Sequence, residues 1–212
     1  KKDLGILKRR YCYVKIRINS GQKKGGKENG MAVFRAFRAL RPTTEKAAEV
    51  AALPYDVVGR EDARLIGEKN PDSFLHVDRA EMDLPEDTDL YDDRVYEKAA
   101  ENLKKMEESG ILIQDETPCY YIYELTRKGK IQTGIAGCCS IDEYMEGTIK
   151  RHELTREDKE QDRIRHVDAC DANTGPIFLA CRYSDRLLDL IAEWKEEHSP
   201  VYDFTAEDEI GH

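Results

Sequence analysis

CYYIYELT (119–126) and KIQTGIAGCCSIDEY (130–144) are two strand-like runs separated only by Arg127-Lys128-Gly129. Their β-branched and aromatic residues on either side of a short glycine-containing turn predict a β-hairpin. The chain around it reads differently, so the hairpin has to coexist with helices.

The clearest helix spans residues 92–109, where Val95, Ala99, Leu103 and Met106 fall on one face and Gly110 stands as a C-terminal stop. TTEKAAEVAAL (43–53) predicts another, capped by Thr43 or Thr44, with Pro54 ending it. PYDVV (54–58) is an extended piece leading into a helix at EDARLIGEK, which Asn70-Pro71 stops. FRAFRALRP, SFLHV (73–77), ILIQ and PIFLACRY (176–183) read as extended or strand segments. DRAEMDLPEDTDLYDD reads as an acidic loop with too few apolar residues to be core.

A helix is expected from about Thr155, with Asp158 completing a variant of the capping box, to Cys170 or Ala172, burying Ile164, Val167 and Cys170. After an Asn173-Thr174-Gly175 turn and the PIFLACRY strand, Ser184 caps a helix carrying Leu187, Leu188, Ile191 and Trp194. The expected fold class is α+β, with mixed sheet segments and a hairpin flanked by helices. The last residues resemble the start of another element, which suggests a fragment of a longer protein.

With 212 residues, 40% hydrophobic and 36% charged, the chain is long enough for a real core. It lacks an apolar run of membrane-spanning length, roughly 20 residues, and a secretory signal, so a water-soluble, cytoplasmic protein is expected. The six cysteines contain no CxxC pair and read as reduced, mostly structural thiols.

Charge divides the chain at Met31. Residues 1–30 hold ten Lys/Arg against two Asp/Glu, leaving 24 against 41 in residues 31–212. CYVKIRI (12–18) could pass for a short strand, but GQKKGGKENG is turn-rich, and a basic nucleic-acid arm is one reading. The other comes from the genetic code: Lys27-Glu28 can be written AAG-GAG, a ribosome-binding sequence two codons ahead of Met31. Residues 1–30 are therefore expected to be a disordered leader or translated upstream sequence, outside fold reasoning. Residues 31–212 form the domain proper.

EGTIKRHELTREDKEQDR (146–163) is the densest polar stretch. His152-Glu153 lacks a second His one turn on, where Arg156 stands, so no zinc-protease motif is present and no metal site is expected. No GxxxxGK[ST] or GxGxxG occurs either. Lys150, Arg151 and His152 offer donors to an anion ahead of a helix N-terminus, and Glu153 among them would stay ionised and able to accept a hydroxyl proton. The competing reading is an ordinary solvated helix entrance.

PYDVV, NPDSFLHV, GTIKRHELT with KEQDR on the following helix, and NTGPIFL, in this order, resemble the family called domain of unknown function 1015, over nearly the whole chain after Met31. That family is similar to the ParB/sulfiredoxin-like group, which includes free serine kinases that phosphorylate L-serine with ADP or ATP. The resemblance implies a small-molecule substrate, a nucleotide with Mg2+, Glu153 as base, and Lys150, Arg151 and His152 as phosphate contacts. Asp56, His76 and Asn173 are further site-lining candidates, each with a structural alternative: a turn or cap, a satisfied histidine, a turn. The Asp-Gly-His-His-Arg motif that supplies nucleotide and magnesium contacts in those kinases does not occur here, so the chain alone is expected to be inactive. The alternative is a non-catalytic ligand-binding or nucleic-acid-linked module. The acidic balance after Met31 argues against DNA.

The leader reading is checked by the intact mass of protein made from the native locus. Met31 at the N-terminus is the expected result, and a retained leader peptide overturns it.

Overall fold

The computed structural model describes residues 11–18, 32–151 and 156–205, the first of these as backbone. They form two compact units, one drawn from residues 1–39, 116–155 and 175–200, the other from residues 40–115, 156–174 and 201–212. Both contain helices and short sheets, so the α+β expectation holds.

In the first unit the long strand β6 (Lys130–Ser140) is paired along both edges. On one side run β5 (Tyr121–Arg127), in register from Tyr121 with Ala136 to Arg127 with Lys130, and the two-residue β2 (Phe34–Arg35). On the other side lies β1 (Tyr11–Ile18), antiparallel to β6 and parallel to β7 (Ile177–Cys181). Setting residues 1–30 aside therefore misses a central strand, at the stretch that could pass for one.

The hairpin forms as expected. Lys128 and Gly129 both have positive φ, 50° and 74°, the combination a type I′ turn requires and one whose twist suits paired strands. The strand ends sooner than the sequence suggests, because Ser140 accepts the Glu143 N–H and starts α5 (Ile141–Met145). At Gly137 the Phe34 ring lies on the backbone, only 2.4 Å from where a Cβ would stand, and stacks on Tyr120 with centroids 5.4 Å apart. Ser184 caps α7 (Asp185–Glu197) as expected; Ile191 is buried there, while Trp194 is 57% exposed.

The second unit is built on α4 (Asp93–Glu108), which Asp92 caps through the Arg94 N–H and Gly110, at φ 75°, terminates. Val95, Ala99, Leu103 and Met106 are all buried, as the spacing predicts. Leu103 and Met106 join Val50, Val77 and Leu112; Val95 and Ala99 join Ala80. A two-stranded sheet, β3 (Leu40–Pro42) with β4 (Leu112–Gln114), and α2 (Arg60–Lys69) complete it.

Four expectations need correction here. SFLHV is helical, forming α3 (Leu75–Asp78). Leu75 and Val77 are both buried, but in different clusters, so the segment is apolar on two sides and its alternation carries no strand information. The helix expected over residues 43–53 shrinks to α1 (Ala47–Val50), which has no side-chain cap and whose Glu49 carbonyl is taken by Asn70 Nδ2 at 2.6 Å. The acidic loop contributes to the core: a 3-10 turn at Ala80–Asp83 buries Ala80, Glu81 and Met82. Arginines of α2 fix this loop, Arg60 donating to the Thr88 carbonyl at 2.9 Å and Arg64 to the Leu84 carbonyl at 2.8 Å. Finally, α6 (Glu157–Cys170) begins after Arg156 without a side-chain cap; Asp158 pairs with Arg156 at 2.7 Å instead, and Thr155 lies outside the described residues.

Among the described residues no helix is long and apolar enough to cross a membrane. Cys119, Cys138, Cys139, Cys170 and Cys181 are free thiols; Cys139 is buried and Cys119 exposed.

Leu103→Ala, at a position 4% exposed, should lower stability by about 2–5 kcal/mol. Ile131→Ala, at 66% exposure, should stay within about 0.5 kcal/mol. Urea unfolding followed by circular dichroism distinguishes them, and equal effects would place the core elsewhere.

Candidate functional site

Lys150 and Arg151 follow the turn at Gly147 (φ 79°) that ends α5 in the first unit. Both are exposed; Lys150 Nζ donates to the Gly147 carbonyl, and the Arg151 guanidinium stands 5.0 Å from the Tyr144 ring centroid. His152 and Glu153 lie outside the described residues.

The other three candidates belong to the second unit. Asp56 is exposed in a turn closed by the Val57 N–H on the Pro54 carbonyl, and α2 starts after Gly59 without a side-chain cap. Asn173 is half-buried in the loop after α6. His76 Nδ1 meets both oxygens of Asp83, at 2.9 and 3.0 Å, and Asn102 Nδ2 bridges the Asp83 carboxylate and the His76 carbonyl. The Asp83 bond raises the His76 pKa against the effect of burial. On Asp83, burial would raise the carboxyl, but the His76 bond and charge outweigh it and leave it below the usual range. His76 Nδ1 is thus held by Asp83, whereas its buried Nε2 has no hydrogen-bond partner.

A different group of side chains in the second unit makes a cleft. Its floor is α6, which presents Lys159, Asp162, Arg163 and His166, and its walls are the 77–81 segment, Tyr55, and the start of α4 with Tyr91 before it. Three tyrosines are each covered by a cation from α6: the Arg163 guanidinium is 4.4 Å from the Tyr55 centroid, Arg165 is 4.1 Å from Tyr96, and Lys159 Nζ is 5.8 Å from Tyr91. The Tyr96 hydroxyl donates to Asp162 Oδ1 at 2.9 Å, and burial followed by that bond raises its pKa.

His166 is 3% exposed and its Nε2 lies 3.0 Å from the Val77 carbonyl, which fixes the proton on Nε2. Burial, then repulsion from Arg163, lowers its pKa, so the ring is neutral. Its Nδ1 faces the Cys170 Sγ at 3.9 Å, and burial followed by the Asp78 charge pushes that thiol up to about 11. Arg79 and Glu81 approach within 3.0 Å, Nε to Oε1, at an angle that makes no hydrogen bond, so both atoms stay without one.

Sequence reading passed over this cleft although it contains quoted residues. KEQDR supplies Lys159, Asp162 and Arg163, and His166 follows one turn after Asp162, a spacing that aligns them on one helix face. The signal was the i, i+4 pair of Asp162 and His166, overlaid by the apolar Ile164 and Val167.

A family model described as Protein of unknown function (DUF1015) matches residues 34–212. No curated protein and no solved structure matches the chain.

The two histidines give opposite pH dependences. With His166 depressed, the unfolded chain binds more protons between the folded pKa and 6.5, so stability is full above that window and falls on acidification through it. With His76 raised, its contribution is full below 6.5 and lost as pH rises through the folded value. Thermal unfolding from about pH 5 to about pH 8 should show His166→Gln flattening the acid limb and His76→Gln the alkaline limb. The reverse pattern would mean that the two environments are misassigned.

Proposed function

The chain belongs to the DUF1015 family, and from that membership we propose that it is part of a small-molecule kinase of the ParB/sulfiredoxin-like group. Its substrate is a small molecule with a hydroxyl such as that of L-serine, and the phosphoryl donor is ADP or ATP with Mg2+. One observation supports the reading most directly. Segments far apart in sequence meet around α6: Tyr55 of PYDVV lies under Arg163 of KEQDR, Val77 of NPDSFLHV accepts from His166, and Thr174 of NTGPIFL donates to Asp78 Oδ1 at 2.8 Å. Concave places lined by a few convergent polar groups are where ligands bind.

In this reading Glu153 takes the hydroxyl proton while Lys150, Arg151 and His152 balance phosphate charge. The nucleotide, when bound, supplies the phosphoryl group. Lys150 and Arg151 fit a phosphate contact, being exposed cations on consecutive residues. Among the described residues no three His, Cys, Asp or Glu side chains are grouped to hold a cation, so magnesium would be carried chiefly by the phosphates.

Calorimetric titration of ADP and ATP with magnesium into the longer protein of which this chain is proposed to be part, beside an assay for phosphoserine, tests this. The chain alone lacks the motif that supplies nucleotide contacts in those kinases. Nucleotide binding weakened about tenfold or more by Lys150→Ala/Arg151→Ala and retained by Glu153→Gln is expected. Absence of both binding and phosphorylation would overturn the kinase reading and leave a non-catalytic ligand-binding module. A salt-sensitive shift on DNA would instead favour the nucleic-acid-linked alternative.

A further inference from the structure

Among the described residues β7 pairs with no strand but β1, and β1 also completes the second edge of β6. The sheet thus holds a place one strand wide. On one side the neighbour is antiparallel over seven register positions, from Tyr11 opposite Ser140 to Arg17 opposite Gly134. On the other it is parallel over five, from Val14 beside Ile177 to Ile18 beside Cys181.

The covalent connection of β1 does not fix it in that place. β1 and β2 lie on opposite edges of β6, and Arg17 stands at Gly134 whereas Phe34, the start of β2, stands at Cys139. Two strand spacings across and five residues along amount to about 20 Å. Residues 19–33 join the two strands, and a chain of that length reaches about 50 Å when extended. The tether is more than twice as long as it needs to be, so β1 is held by its two edges.

The register also shows what the place accepts. Ile135, Gly137 and Cys139 alternate along one face of β6, and Ile177, Leu179 and Cys181 continue that face on β7. Between them the strand carries Cys12, Val14, Ile16 and Ile18 at the matching positions, and Tyr13, Lys15 and Arg17 at the others. This period of two is that of a strand with one apolar face. Charge is complementary as well, since the basic segment before Met31 joins a domain whose acidic residues outnumber its basic ones.

We infer that the place between β6 and β7 is a strand-acceptor site for an extended basic peptide with an apolar residue at every second position. The peptide runs antiparallel to β6 and parallel to β7. Residues 11–18 are its occupant, delivered in cis on a long tether and replaceable by the same segment in trans. Main-chain hydrogen bonds to two neighbours give such a strand its affinity, and the alternating apolar positions fix its register. A protein that starts at Met31 presents the same place to a strand from another source.

The test uses the 212-residue chain under reducing conditions, with a fluorescent peptide of residues 9–20 as probe. In Val14→Lys/Ile16→Lys, which spoils the apolar positions of β1, the melting temperature should fall by several degrees. The peptide should bind this variant one to one and restore most of the loss. A peptide carrying the same two lysines, or one of the same composition without the alternation, should bind about tenfold or more weakly. The unaltered chain should bind the probe equally weakly, because its own β1 fills the place. Where the double variant does not fold, a second form decides: the unaltered chain with a protease site placed between Gly25 and Gly26 and cut after folding. The cut segment should stay bound through gel filtration and exchange for the labelled peptide on warming toward the melting midpoint. Equal binding of the non-alternating peptide, an unchanged melting temperature in the double variant, release of the cut segment without loss of stability, or retention without exchange would each overturn the assignment.

Discussion

Burial of the apolar stripe of α4 is the constraint on which the second unit depends. Val95, Ala99, Leu103 and Met106 reach into two of its clusters, so one helix face organises α3, the 3-10 turn and β4 together. The polar features of the unit sit on that frame. Asn102 is on the same helix and reaches the His76 carbonyl and Asp83, while Tyr96 reaches Asp162. The cleft is therefore supported by a helix whose position is set by packing rather than by the charges that line the cleft. Hydrogen bonds and ion pairs need such a frame, since exposed pairs contribute little stability themselves.

In the first unit β6 has the corresponding role by a different means. Its hydrogen bonds run to neighbours on both edges, and a missing side chain lets another come close: the tip of the Phe34 ring sits where a Cβ on Gly137 would stand.

How much of this was legible follows from the range over which each feature is determined. The hairpin was legible because a two-residue turn and two flanking runs are local, and Lys128-Gly129 needs nothing distant to adopt its backbone. Helix α4 was legible because sixteen residues sample its period several times. SFLHV was not, since five residues cannot separate a strand from a turn of helix that is apolar on two sides. Glu81 looked like loop because its burial is imposed by Arg60, Arg64 and α4, none of which is adjacent in sequence. The cleft was half legible: its pieces were quoted as separate motifs, but only the fold sets Tyr55 beneath Arg163 and Val77 opposite His166. Of the anion cluster read at residues 150–153, the structure describes Lys150 and Arg151.

The pairing of β1 with β7 has a consequence for how the chain reaches its native state. Val14 lies opposite Ile177, so this contact closes a loop of most of the sequence, whereas β5 and β6 close across two residues and the core of α4 is assembled largely within residues 40–115. Folding rates fall as contacts become more distant in sequence, because the entropy of loop closure is lost before the contact is gained. During synthesis the hairpin and much of the second unit can form while β7 is still inside the ribosome, and β1, made well before β7, gains that neighbour only once β7 emerges. Until then one edge of β1 is unpaired, open to association with other chains.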